Sequence, residues 1–218
     1  MKKSYIFIGV GVVILIFLIF CGLYGHKQEK KEHYVAINKS LLAHALSYGK
    51  KNAGLTTYEF EKPWTVDLGY QIGKGYATLL TPFLRIALLK RDAVRNKENL
   101  DTSLENNIYS QEIGIIHFLV TMYGNSPGFA RRIKAFLIYK KQIIKPKFIY
   151  FPSYGQMGRD YTQISNGEIK FPRNNIPDNA IITLVVQIEP NPSDKWENNP
   201  SWEKTHTAKF KFKMSKYR

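Results

Sequence analysis

Residues 208–214 alternate without a break. Ala208, Phe210, Phe212 and Met214 are apolar, and Lys209, Lys211 and Lys213 stand between them. A period of two sends one set to a core and the other to water, so the pattern predicts a β-strand with a lysine-coated outer side. IGIIHFLVTMY from Ile113 and AIITLVVQIE from Ala180 are nearly continuous in apolar residues with a β-branched bias. They predict strands buried within a sheet. RRIKAFLIYKKQIIK from Arg131 is a basic, strand-capable stretch that follows the turn chemistry of Gly124-Asn125-Ser126-Pro127-Gly128.

Helical spacing is confined to the first half. Tyr34, Ile37, Leu41 and Ala45 recur at three- and four-residue steps, which predicts a helix over 32–48 with Gly49 as its stop. Thr81-Pro82 reads as a hydroxyl cap followed by proline at the first helical position. Leu84, Ala87, Leu88, Arg91 and Val94 then share one stripe. Residues 56–72 are rich in β-formers, Gly73-Lys74-Gly75 is a turn signal, YATLL is a short strand, and 101–109 add a helical turn. Residues 152–179 hold many Pro, Gly, Asn and Ser and predict a long surface excursion, with a hairpin around Asn166-Gly167. The sum is a mainly β fold: an antiparallel, sandwich-like domain over 52–218 with accessory helices, one of them near 82–97.

Tyr5 to Tyr24 are 20 consecutive residues without a charge. As a helix they would cover about 30 Å, the thickness of a bilayer's hydrocarbon core, with a tyrosine at each interface. Residues 1–25 therefore predict a retained transmembrane signal-anchor, and 26–51 a juxtamembrane helix or stalk. A cleaved signal peptide is the rival reading. Its apolar core is shorter, and it ends on small residues, whereas bulky Phe20 precedes Cys21. The basic flank Lys2-Lys3 ahead of an apolar run favours a single-pass protein with an extracytoplasmic C-terminal domain. The single cysteine excludes a disulfide scaffold and a cysteine-built zinc site.

Motifs for chemistry fail on physical grounds. Gly124-Asn125-Ser126-Pro127-Gly128 matches G-x-S-x-G, with Asp178 or Asp194 and then His206 following in order. The oxyanion hole of that motif uses the N–H of the residue after the serine, and Pro127 has none. Ser47-Tyr48-Gly49-Lys50 fits S-x-x-K, but a helix ending at Gly49 cannot carry it. Gly69 to Gly75 falls one residue short of a P-loop and lacks its Ser or Thr. No H-x-x-x-H pair or carboxylate cluster suggests a metal, and His117 reads as a satisfied core residue. No catalytic residue, metal or cofactor is expected.

Charge is what remains. The chain carries 32 Lys and Arg against 17 Asp and Glu, a net +15. Residues 129–147 hold seven basic residues and 204–218 hold six, with no acid in either. If their strands share a sheet, Arg131, Arg132, Lys134, Lys140, Lys141, Lys209, Lys211 and Lys213 form an anion-binding face. Lysine outnumbers arginine 24 to 8, which argues against nucleic acid and its forked phosphate contacts. The expected partners are the bilayer, through residues 5–24, and an anionic lipid, polymer or envelope protein at the basic face. The expectation is a membrane-anchored, non-catalytic β-domain. Its alternatives are an envelope hydrolase with a site in the 152–179 or 190–205 loops, and a basic module for anionic polymer or nucleic acid.

Overall fold

The computed structural model describes residues 39–99, 114–173, 175–190 and 204–217. All belong to one unit, Ile37–Arg218. The anchor expected at 5–24, the turn expected at 101–109 and the loop bearing Asp194, Trp196 and Trp202 lie outside the described residues. Among the described residues no helix is long and apolar enough to cross a membrane.

Three helices lead. Helix α1 spans Lys39–Lys51 and so runs through Gly49 rather than stopping there. The glycine serves a contact instead: a Cβ at Gly49 would lie 2.3 Å from the carbonyl oxygen of Ala87 in the third helix. Ser47 and Lys50 therefore do share one helix, but both face water near its C-terminal end. Helix α2 spans Thr57–Glu61, where β-formers had predicted strand. A capping box decides it. The Thr56 hydroxyl accepts from the Glu59 N–H, and the Glu59 carboxylate accepts from the Thr56 N–H at 2.9 Å. Helix α3, Pro82–Asn96, begins as expected, with Thr81 Oγ1 accepting from the Leu84 N–H at 3.2 Å. It buries Leu84, Ile86, Ala87, Arg91 and Ala93, while Val94 stays exposed.

The strands are β1 (Thr65–Asp67), β2 (Gly75–Leu79), β3 (Ile115–Gly124), β4 (Ile133–Tyr139), β5 (Gln142–Ile144), β6 (Phe148–Tyr150), β7 (Gln156–Met157), β8 (Gln163–Pro172), β9 (Ile181–Ile188) and β10 (His206–Lys213). They form two sheets in which every pairing is antiparallel. The first has the order β1-β2-β3-β8-β6, with β7 also on β8; the second is β10-β9-β4-β5. The chain is thus mainly antiparallel β with a few helices.

One correction is large. Residues 163–172, expected within a surface excursion, form the ten-residue strand β8 between β3 and β6. Asn166 and Gly167 are not a turn but pair with Thr121 and Val120. A Cβ at Gly167 would meet the Phe151 ring at 2.3 Å, so the glycine makes room for an aromatic neighbour.

One hydrophobic cluster joins the sheets. From the first come Ala77, Leu79, Ile116, Phe118, Val120, Met122, Ile169 and Phe171; from the second come Leu137, Ile182, Leu184, Val186, Phe210 and Phe212. The Phe118 ring sits 5.1 Å from Phe212 and 6.0 Å from Phe171, centroid to centroid. The same cluster takes in Phe60, Trp64 and Leu84 from the helical end.

Candidate anion-binding face

The outer side of the second sheet follows from its register. On β10, Ala208, Phe210 and Phe212 are buried and Lys209, Lys211 and Lys213 are exposed. Lys209 pairs with Val185, Lys211 with Thr183 and Lys213 with Ile181. Across β9, Val185 pairs with Phe136, Thr183 with Ile138 and Gln187 with Lys134. Paired residues of an antiparallel sheet point to the same side. The three lysines of β10 and Lys134 of β4 therefore share one water-facing surface. Alternate positions along a strand are about 7 Å apart, so the β10 lysines form an evenly spaced column.

Lys140 and Lys141 make the turn between β4 and β5. Since Tyr139 pairs with Ile182, and Ile182 with Phe212, that turn lies at the end of the sheet where Lys213 stands. Six of the eight expected residues are thus on this face or at its end. The other two, Arg131 and Arg132, stand just ahead of β4, in the 3-10 turn Phe129–Arg132. The Arg131 guanidinium lies 4.3 Å over the Tyr154 ring, and Arg132 Nη2 donates to Ser126 Oγ at 3.2 Å.

The surface is not purely ionic. Ile143 is 68% exposed and Ile181 is 52% exposed, with Phe136 and Ile138 half-buried between the flanking strands. Ile138 pairs with Ile143, so these apolar side chains continue one another across β9, β4 and β5. Val185 also points this way yet is buried, because Lys209 and Phe136 flank it in the register and long side chains cover short ones. Only one carboxylate engages these lysines among the described residues: Glu189 Oε1 is 2.5 Å from Lys134 Nζ. The isoleucines were invisible as surface residues in sequence, because an unbroken apolar run does not say which members turn outward.

The outer side of the first sheet differs. There Glu168 Oε1 lies 2.7 Å from both His117 Nε2 and Lys170 Nζ. His117 is buried, as expected, and Glu168 is its partner. Near β1 and β2 the buried Glu61 accepts from Thr78 Oγ1 at 3.4 Å, and burial raises its carboxyl above the ordinary range despite the opposing charge of Arg91.

Among the described residues the serine motif gains no histidine or aspartate partner. Ser126 Oγ takes its hydrogen bond from Arg132, and His206 Nε2 is buried without one, so the two are not joined. Asp178 pairs with Arg173. Among the described residues no three His, Cys, Asp or Glu side chains gather as metal ligands. Set beside known proteins, the chain matches no family model and no curated sequence.

Proposed function

We propose that the protein is a membrane-anchored, non-catalytic β-sandwich that holds an anionic component of the cell envelope against the outer side of its second sheet. The observation that carries this reading is the surface shared by Lys134, Lys209, Lys211 and Lys213, with the Lys140–Lys141 turn at its end. A field of one sign, answered among the described residues by the carboxylate of Glu189, attracts a polyanion over several ångströms and weakens with salt. The exposed Ile143 and Ile181 add apolar contact, which suits an amphiphilic anion better than a simple ion. The 20 uncharged residues from Tyr5 to Tyr24 support the anchor, and Lys2-Lys3 ahead of them supports a domain outside the cytoplasm.

The test titrates a fluorescent polyglycerol phosphate against the full chain held in uncharged detergent micelles. Each lysine beside an anionic surface contributes about 1 kcal/mol, so Lys209→Glu, Lys211→Glu and Lys213→Glu together weaken binding at least about 100-fold. The wild type also loses affinity steeply as salt passes about 0.1 M. Equal binding by the triple variant, with its unfolding midpoint unchanged, would remove the proposed site.

A further inference from the structure

In a chain of net charge +15, one corner is built of tyrosines around a carboxylate, with Lys74 of the β1–β2 connection opposite Tyr123 through main-chain hydrogen bonds. This corner lies on the outer side of the first sheet, where α2, β1, β2 and β3 meet. Those four elements contain no lysine or arginine. Asp67 of β1 pairs across the strands with Tyr76 of β2, which pairs in turn with Thr121 of β3. Tyr123 stands two residues further along β3 and is the diagonal neighbour of Tyr76. Tyr58 reaches over from α2. Its hydroxyl donates to Asp67 Oδ2 at 2.6 Å, and its ring stands edge-on to Tyr76 at 5.6 Å and 74°. Tyr70, from the connection between β1 and β2, leans on Tyr123 with centroids 4.4 Å apart and planes at 58°.

We propose that these four tyrosines and Asp67 form a binding site for a compact organic cation of the alkylated-ammonium class. The carboxylate is held in place, since Oδ1 also accepts from the Gly69 N–H at 2.7 Å, and a carboxylate has further lone pairs for a ligand. Tyrosine faces attract cations through the ring quadrupole, most strongly where water is partly excluded. Tyr76 and Tyr123 are half-buried, and Tyr58 and Tyr70 are 40% and 45% exposed, so the cluster is lined but open. The ring angles select the shape of the ligand. Planes at 58° and 74° are walls, not a platform, so they suit a rounded cation rather than a flat sugar ring. The phenols of Tyr58 and Tyr123 stay protonated in neutral solution. Burial and the surrounding oxygens push Tyr123 up to about 12, and the bond to Asp67 raises Tyr58. This site is independent of the lysine face and stands or falls without it.

The experiment titrates choline into the full chain in an uncharged maltoside micelle, with isotope-labelled tyrosine rings observed by NMR. The control is the neutral isostere of choline in which carbon replaces nitrogen. Choline saturates with a Kd near ~1 mM, and its shifts concentrate on Tyr58, Tyr70, Tyr76 and Tyr123. The isostere binds at least about tenfold more weakly. Asp67→Asn and Tyr76→Leu each weaken choline at least about tenfold. Tyr70→Leu, at a 45% exposed loop position, loses affinity even if Tyr76→Leu fails to fold. Non-saturating shifts, equal binding of the isostere, or full affinity in Tyr70→Leu and Asp67→Asn overturns the proposal.

Discussion

The two sheets bury the same kind of surface against each other and show water opposite ones. The second sheet turns out lysines in a column with isoleucines beside them, and its principal ion pair there is exposed. The first turns out tyrosines, a fixed aspartate and a buried histidine held by Glu168, and α2 covers part of it. The difference shows how one core can serve two surfaces. Where nothing covers a sheet, outward positions need only tolerate water, and lysine does so while blocking unwanted strand pairing. Where helices cover it, each outward polar group must find a partner, and that requirement builds networks and niches. On the readings proposed above, the lysine face suits extended partners and the tyrosine corner a small one.

The comparison breaks most completely if the shared core is removed. Phe118 touches Phe171 in its own sheet and Phe212 in the other, and it is fully buried. Phe118→Ala leaves a cavity between the sheets and costs about 3–5 kcal/mol in denaturant unfolding. Because both outer faces rest on that core, binding at each should be lost over the same denaturant range. Separate loss would show two independent layers.

Gly49→Val loosens only the helical side. The added carbons meet the Ala87 carbonyl at a distance no pair of atoms tolerates, so α1 must move away from α3. The cost is about 1–3 kcal/mol, typical of overpacking. Hydrogen exchange should quicken in α1 and α3 while β9 and β10 keep their protection. Uniform acceleration would mean that the helices are integral to the second sheet as well.

What could be read from sequence follows the same division. Strand β10 was legible because nothing but the core and water acts on it, so the period of two is clean. The start of α3 was legible because Thr81 and Pro82 act locally. Strand β8 was not, because β3 on one side and β6 and β7 on the other supply what its Asn166, Gly167 and Glu168 lack in propensity. Thr56 and Glu59 did carry a local signal for α2, but the β-formers Thr57, Tyr58 and Phe60 obscured it. Gly49 looked like a stop, because glycine at a close helix crossing and glycine after a last turn are the same letter. The tyrosine corner draws on four elements and a loop, so no local pattern announces it. Arg131 and Arg132 were grouped with the lysines by proximity in sequence, and they lie in the 3-10 turn just ahead of β4.

A smaller effect distinguishes the faces by pH. Burial raises the Glu61 carboxyl, so the folded chain holds that proton more tightly than the unfolded one does. The sign follows: Glu61 disfavours folding increasingly as pH rises from the ordinary carboxylate range through the raised folded value. Glu61→Gln keeps an oxygen for Thr78 and removes the ionisation. Relative to wild type, its stability should therefore improve as pH climbs through that window and level off above it, within about 1 kcal/mol in all. A gap that stays constant with pH would assign Glu61 an ionised role opposite Arg91.

The least effect belongs to the second sheet, and its smallness is the point. Lys134 and Glu189 are in contact, yet their side chains are 64% and 43% exposed. Water screens such a pair, and ordering two long side chains offsets much of the attraction. A double-mutant cycle of Lys134→Ala and Glu189→Ala should give a coupling below about 0.5 kcal/mol. Glu189→Ala alone has a clearer consequence. It frees Lys134 and removes the carboxylate that answers the lysines among the described residues, so polyglycerol phosphate binding should tighten by about two- to fivefold while stability stays unchanged. Tighter binding without a stability change would mean that Glu189 restrains the basic field and is dispensable to the strand beneath it. Weaker binding would mean that the pair orients Lys134 for the anion, and that even the uncovered sheet relies on a fixed polar partner.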